Sequence, residues 1–195
     1  MANTVIDYKT VRMDLLTDGG WVLDGGCMGW GFAAEMASRR MRVLAVDPSI
    51  GLKPPNYAGL TFENVALVGI ERDTIGYVSQ HESQENYTDD VKGRRVKART
   101  IGQLMTTHNI ALFDVVKMNV EGAEYEILSN WPGPVASQIT VSFHEFIPGR
   151  NPDPDGYFDA MFAHLDKWYR VEQHEWTVKG ETEGNYWDSL FILRT

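Results

Sequence analysis

The sequence predicts an α/β fold: a doubly wound, mostly parallel sheet with helices on both faces. Three observations carry that expectation. Short apolar runs alternate along the chain with segments of helical periodicity. Those runs are near-continuous in hydrophobic residues, as strands buried on both faces require. Two of them stop at an acid followed by glycine or proline, Asp24 and Asp47, where a parallel strand hands over to a crossover.

Residues 7–16 read as a short amphipathic helix with Val11, Leu15 and Leu16 on one side. WVLD (21–24) is the first buried strand, and 29–40 is a helix with Phe32, Ala33, Met36 and Ala37 at helical spacing. Arg39 and Arg40 suit the negative dipole end of that helix. RVLAVD (42–47) is the second strand, and Pro48 with the pair at 54–55 excludes a helix directly afterwards. ENVALVG (63–69) is expected as the third. Two alternating runs, 74–80 and 94–100, predict a β-hairpin inserted at a sheet edge, with a mobile tip over 81–90. A capped helix starts at Thr100, the strongest strand spans 113–120, and a helix follows from Gly122. A strand over 138–146, a Pro/Gly/Asp loop, a helix over 157–168, a strand over 169–176 and a terminal apolar strand over 188–195 complete the list.

With 195 residues, 43 % hydrophobic and 23 % charged, the chain has the composition of one globular domain spanning 1–195. Residues 20–146 form its ligand-binding core, and 147–195 supply the helix and strands that complete the sheet. No apolar run reaches the roughly 20 residues needed to span a bilayer, so no membrane partner is expected. The amino terminus lacks the pattern of a secretory signal. Cys27 is the single cysteine, which excludes an internal disulfide and a thiolate metal cage. These features predict a cytoplasmic protein. The net charge of −9 argues against nucleic acid as partner, because phosphate neutralisation dominates such binding. The one basic cluster, 92–99, is either a solvated strand face or a contact for an anionic substrate or RNA.

In doubly wound sheets ligands sit beyond the carboxyl ends of strands. After the first strand the glycines of DGGCMGWG allow positive φ and close backbone approach, and the next helix offers free N–H groups. The same glycines would serve a plain strand-to-helix turn. Asp47, at the tip of the second strand, is placed to accept hydrogen bonds from both ribose hydroxyls, or to cap a turn. Gly29-Trp30-Gly31-Phe32-Ala33-Ala34 also fits the dinucleotide pattern, but its first glycine follows Asp24 late for a pyrophosphate turn. An acid at 24 suits a ligand with a cationic amino-acid end, which favours S-adenosylmethionine over NAD. Further on, 114–128 gathers Lys117, Asn119, Glu121 and Glu124 around a strand end. Buried charges there are costly unless paired, so Lys117 with Glu121 or Glu124 is one reading and a catalytic cluster the other.

The segment Lys117-Met-Asn119-Val-Glu121-Gly122-Ala-Glu124 resembles the K-x-D-x-E-G-x-E hallmark of the FkbM-type family of S-adenosylmethionine-dependent methyltransferases. The turn LDGGCMGWGF, the acid in AVDPS and an R-T-I-G-Q-L helix entry match the order and spacing of that family. The likeness runs over about 21–146. Asn119 stands where the family has aspartate, and glycines flank the expected position in the first turn. The resemblance implies a seven-stranded, Rossmann-like class I methyltransferase sheet with its last strand antiparallel. It also implies O-methylation of a small-molecule or carbohydrate acceptor. For the cofactor it implies Asp24, Gly26, Cys27 and Gly29 at the methionine moiety and Asp47, followed by Pro48, at the ribose. Val65 and Ala66 fall near the adenine, with Asn119 facing the cofactor.

Methyl transfer to an alcohol gains from a general base. Glu121 and His144 are the candidates, with Glu145 a further strand-mouth acid; an imidazole is matched to neutral pH. Asn119 completes the catalytic set as a hydrogen-bonding group without charge. Asn119, Glu121, His144 and Glu145 can instead be read as oxygen and imidazole ligands for magnesium or manganese. Trp168, Trp176, Tyr186 and Trp187 stand either to stack on a sugar or to fill the core. Two further readings are a cofactor-binding protein without transferase activity and an NAD-dependent enzyme. The acceptor cover comes from loop 80–94, loop 147–156 or a partner subunit in a homodimer.

Overall fold

The computed structural model describes residues 3–78, 87–89, 91–144, 154–178 and 185–195. The chain begins with β1 (Asn3–Ile6) and β2 (Lys9–Arg12), an antiparallel hairpin where the sequence predicts a helix. Asp7 and Tyr8 take φ of +46° and +63°, the left-handed pair of a two-residue turn whose twist matches the strands. The spacing of Val11, Leu15 and Leu16 fits a helix, but β-branched Thr4, Val5, Ile6, Thr10 and Val11 favour the extended chain. A 3-10 turn, Met13–Leu15, leads to β3 (Trp21–Gly25), α1 (Gly31–Ser38) and β4 (Arg42–Val46).

The third strand is shifted from its expected place. β5 (Leu60–Glu63) pairs with β4, whereas β6 (Ala66–Leu67) leaves for another sheet. Asn64 turns the chain between them, its Nδ2 donating to the carbonyls of Asp47 and Ser49 at 2.8 Å each. The predicted hairpin strands are β7 (Thr74–Val78) and β9 (Arg94–Arg99), with a short β8 (Tyr87–Asp89) added. They do not extend the central sheet. They join β6 in a separate four-stranded sheet ordered β6-β9-β7-β8, because Ala66, Val68, Ile75, Tyr77, Val96 and Ala98 bury one another. Most of the expected tip, 81–86 and 90, lies outside the described residues.

Thr100 caps α2 (Ile101–His108): its hydroxyl accepts from the Gln103 N–H at 3.2 Å, and the Gln103 side chain accepts from the Thr100 N–H at 2.9 Å. Then come β10 (Phe113–Met118), α3 (Glu124–Ser129), β11 (Ala136–His144), α4 (Pro154–Leu165), β12 (Tyr169–Val178) and β13 (Asn185–Leu193). The central sheet has seven strands ordered β12-β13-β11-β10-β3-β4-β5. β13 runs antiparallel to both neighbours, and the β11-β10-β3-β4-β5 ladder is parallel. One face packs Leu23, Leu44, Val116, Met118 and Phe143 against α2, α3 and α4. The other packs Val22, Val43 and Val115 against α1 and the amino-terminal hairpin. Winding reverses between β3 and β10, which places a crevice at their carboxyl ends.

Candidate active site

Three strand ends are stitched together at that crevice. Gly26 donates its N–H to the Val46 carbonyl at 2.9 Å, and Asn119 donates to the Gly25 carbonyl at 3.0 Å. Gly26 has φ of +76°, and a Cβ there would stand 2.0 Å from the Asn119 oxygen. Only glycine permits this approach.

Above the stitch lies a cleft with about 580 Å³ of empty space, part of it open to solvent. Of the residues that the sequence singles out, Gly26, Asp47, Pro48, Ala66, Asn119 and Glu121 line it. Asp24, Cys27, Gly29, Val65 and His144 do not. Ser49, at the strand tip beside Asp47, also lines it, as do Tyr77 and Thr88, which no sequence argument had marked. Asp47 is buried, with Oδ1 accepting the Ser49 N–H at 2.8 Å. The Ser49 hydroxyl meets the Tyr77 hydroxyl at 2.8 Å, so β7 of the second sheet closes onto the turn after β4. Burial raises the Tyr77 hydroxyl above its usual range, and the Asp47 and Glu121 carboxylates add to the effect against the Ser49 hydrogen bond.

Asp24 lies fully buried below the glycine turn. Lys117, its cross-strand neighbour, bonds Oδ1 at 2.8 Å and also donates to the Gly26 carbonyl at 2.8 Å. The partner of Lys117 is therefore Asp24, not Glu121 or Glu124. Among the described residues, nothing hydrogen-bonds Asp24 Oδ2. Cys27 is buried, and desolvation followed by the charges of Asp24 and Asp47 pushes its thiol up. That thiol is inert as a nucleophile. Gly29 has open space around it, and Val65 packs into the main core.

The hallmark segment forms a tightly braced turn. Glu121 and Gly122 take φ of +52° and +92°, and the left-handed conformation at Glu121 is one that non-glycine residues hold only under constraint. Glu124 supplies the constraint. It is fully buried, accepting from the Val120 N–H at 3.0 Å and the Gly122 N–H at 2.6 Å, and it meets His144 Nδ1 at 2.7 Å. His144 Nε2 stands 3.6 Å from Glu121 Oε2. Burial works against a charge on His144, but the Glu124 carboxylate, by charge and hydrogen bond, and Glu121 outweigh it and raise its pKa above 6.5. His144 thus stands between Glu124 and Glu121, and Glu121 lines the cleft. Glu145 lies outside the described residues, as do the side chains of Trp176, Tyr186 and Trp187; Trp168 packs against the core. Among the described residues, no group of three His, Cys, Asp or Glu side chains is arranged to hold a metal ion.

The residues present fit a nucleoside cofactor. A bend free of side chains at Gly26 and a carboxylate at the next strand tip line the same cleft. That sheet order and its antiparallel last strand are those of the class I methyltransferase fold, and S-adenosylmethionine is the expected cofactor of the family. The chain belongs to the FkbM methyltransferase family: the sequence profile described as "Methyltransferase FkbM domain" matches residues 25–174. No curated protein matches it by sequence. Among solved structures, it is similar to a putative rRNA methylase from Clostridium thermocellum, at 12 % identity and a TM-score of 0.54 over 92 % of this chain and 89 % of that one. A TehB-like S-adenosylmethionine-dependent methyltransferase from Corynebacterium glutamicum has 12 % identity and a TM-score of 0.50, over 93 % and 84 % of the two chains. TrmK from M. capricolum, solved with S-adenosyl-homocysteine, has 13 % identity and a TM-score of 0.50, over 94 % and 69 %. At these identities the likeness shows the fold. Among the described residues, no helix is long and apolar enough to cross a membrane.

Proposed function

We propose that the protein is an O-methyltransferase acting on a hydroxyl of a sugar or small natural product, with Glu121 as general base. The observation that carries this reading is the Glu121 carboxylate, held in a left-handed conformation on the cleft wall with His144 behind it. S-adenosylmethionine, when bound, supplies an electrophilic methyl group on a good leaving group, so alignment and water exclusion are the main tasks left to the protein. Asp47 receives the ribose hydroxyls, and Ala66 and Leu67 offer an apolar wall to the base. Asp24 acts through Lys117, which fixes the Gly26 carbonyl and with it the turn. Asn119 contributes hydrogen bonds and no charge.

Glu121 takes the acceptor proton, His144 backs it at 3.6 Å, and the Glu124 carboxylate orients the ring. Removing a general base typically costs 10² to 10⁴-fold. Glu121→Gln is therefore expected to lower S-adenosylhomocysteine formation on a hydroxylated acceptor panel at least a hundredfold, with cofactor affinity kept. Undiminished turnover removes Glu121 from the chemistry. Tight cofactor binding without turnover by the wild-type protein on a broad panel marks a binding protein instead.

A further inference from the structure

We propose that Arg94 anchors an anionic group of the acceptor, so that the substrate is a hydroxylated small molecule carrying a phosphate or carboxylate. This deepens the methyltransferase reading and rests on it. The geometry lies in one cross-strand row of the second sheet. Tyr77 of β7 stands opposite Thr88 of β8 on one side and opposite Arg94 of β9 on the other. Residues directly opposite share a face. Tyr77 and Thr88 line the cleft, and Arg94, outside the lining itself, shares their face one strand over.

The rest of that face is apolar, made of Ala66, Val68, Ile75, Val96 and Ala98. Strand alternation sends Arg95 and Lys97 to the opposite side, where Arg95 bonds Thr74. Arg94 is thus the one cation on this face among the described residues. It is exposed, and no described residue hydrogen-bonds or ion-pairs with it. Lys117, below the glycine turn, is taken up by Asp24.

Charge makes this position selective. The cleft carries the Asp47 and Glu121 carboxylates, and the whole chain has a net charge of −9. An anion approaching such a surface is repelled unless a local cation receives it. A guanidinium with open donors matches phosphate or carboxylate through paired hydrogen bonds, a geometry a neutral sugar cannot use. Anchoring one end of the acceptor at Arg94 leaves its hydroxyl free to enter the cleft that Glu121 lines.

The test uses the full chain saturated with S-adenosylhomocysteine and titrated with inorganic phosphate by calorimetry. Saturable binding is expected, weakened tenfold or more in Arg94→Ala and partly restored in Arg94→Lys, with S-adenosylhomocysteine affinity unchanged. In turnover with S-adenosylmethionine, glucose 6-phosphate and glucuronate are expected to outperform glucose. Their KM is expected to rise tenfold or more in Arg94→Ala, with kcat nearly kept. With S-adenosylhomocysteine binding intact, equal phosphate affinity in wild type and Arg94→Ala overturns this proposal alone. So does glucose turnover that matches the charged sugars and ignores Arg94, and so does a single-stranded RNA oligomer that displaces phosphate at low salt. Failure of the wild-type protein to bind S-adenosylhomocysteine overturns the methyltransferase reading and this proposal with it.

Discussion

Glu124 shows how a single buried carboxylate sets the chemistry around it. By accepting two backbone N–H groups and pairing with His144, it fixes the loop that presents Glu121. The His144 contacts carry a pH signature. Its pKa in the fold is raised above the ordinary 6.5, so its stabilising charge is fully present below pH 6.5 and is lost as pH rises through the folded value. Urea unfolding midpoints of the wild type are expected to fall across that upward window, and those of His144→Asn to lack this component. Asp47→Ala is expected to weaken S-adenosylmethionine binding tenfold or more in calorimetry; unchanged affinity removes Asp47 from the site. That Asp47, Asn119 and Glu121 line the cleft was legible because a strand tip and a motif mark them. The partner of Lys117 was not, since Asp24 reaches it only through the pairing of β3 with β10, which no local spacing encodes. Tyr77 and Thr88 stayed hidden for the same reason.

At the scale of elements, apolar periodicity served best where burial on both faces leaves little choice, as in β3, β4 and β10. It failed where a short segment fits two periods. Residues 7–16 have helical spacing, yet the chain turns at Asp7 and Tyr8, a pair without the usual turn-forming glycine. The run 63–69 was read as one strand, but Asn64 divides it between two sheets. The hairpin also finishes a helix. Asp7 Oδ2 accepts the Phe32 N–H at 3.0 Å, and its carboxylate would touch a Cβ at Gly31, which makes it the cap of α1 supplied from another element. Trp30, in the cap position itself, provides no side-chain bond. Asp7→Ala is expected to cost about 0.5–2 kcal/mol in chemical denaturation. No measurable loss would mean that water caps α1 equally well.

For the whole molecule, ligand linkage gives the broadest check on the cofactor. A ligand at a hundred times its Kd stabilises the fold by about 2.7 kcal/mol. In a domain of this size each kcal/mol moves Tm by roughly 2–4 °C. S-adenosylmethionine is therefore expected to raise Tm by roughly 5–10 °C, and NADH at equal concentration to leave it unchanged. A shift with NADH alone would return the glycine turn to the dinucleotide reading.

The amino-terminal hairpin is tied to the far end of the chain. Arg12 and Gln138 exchange backbone-to-side-chain bonds at 2.8 and 3.0 Å. Lys9, buried and with its pKa lowered by desolvation, bonds Ser142 and stands 3.2 Å from Asp188, 179 residues away. During synthesis the hairpin must therefore wait, unlatched, until β13 has emerged. Such distant closures slow assembly, and until then the nascent chain carries a loose β-ribbon.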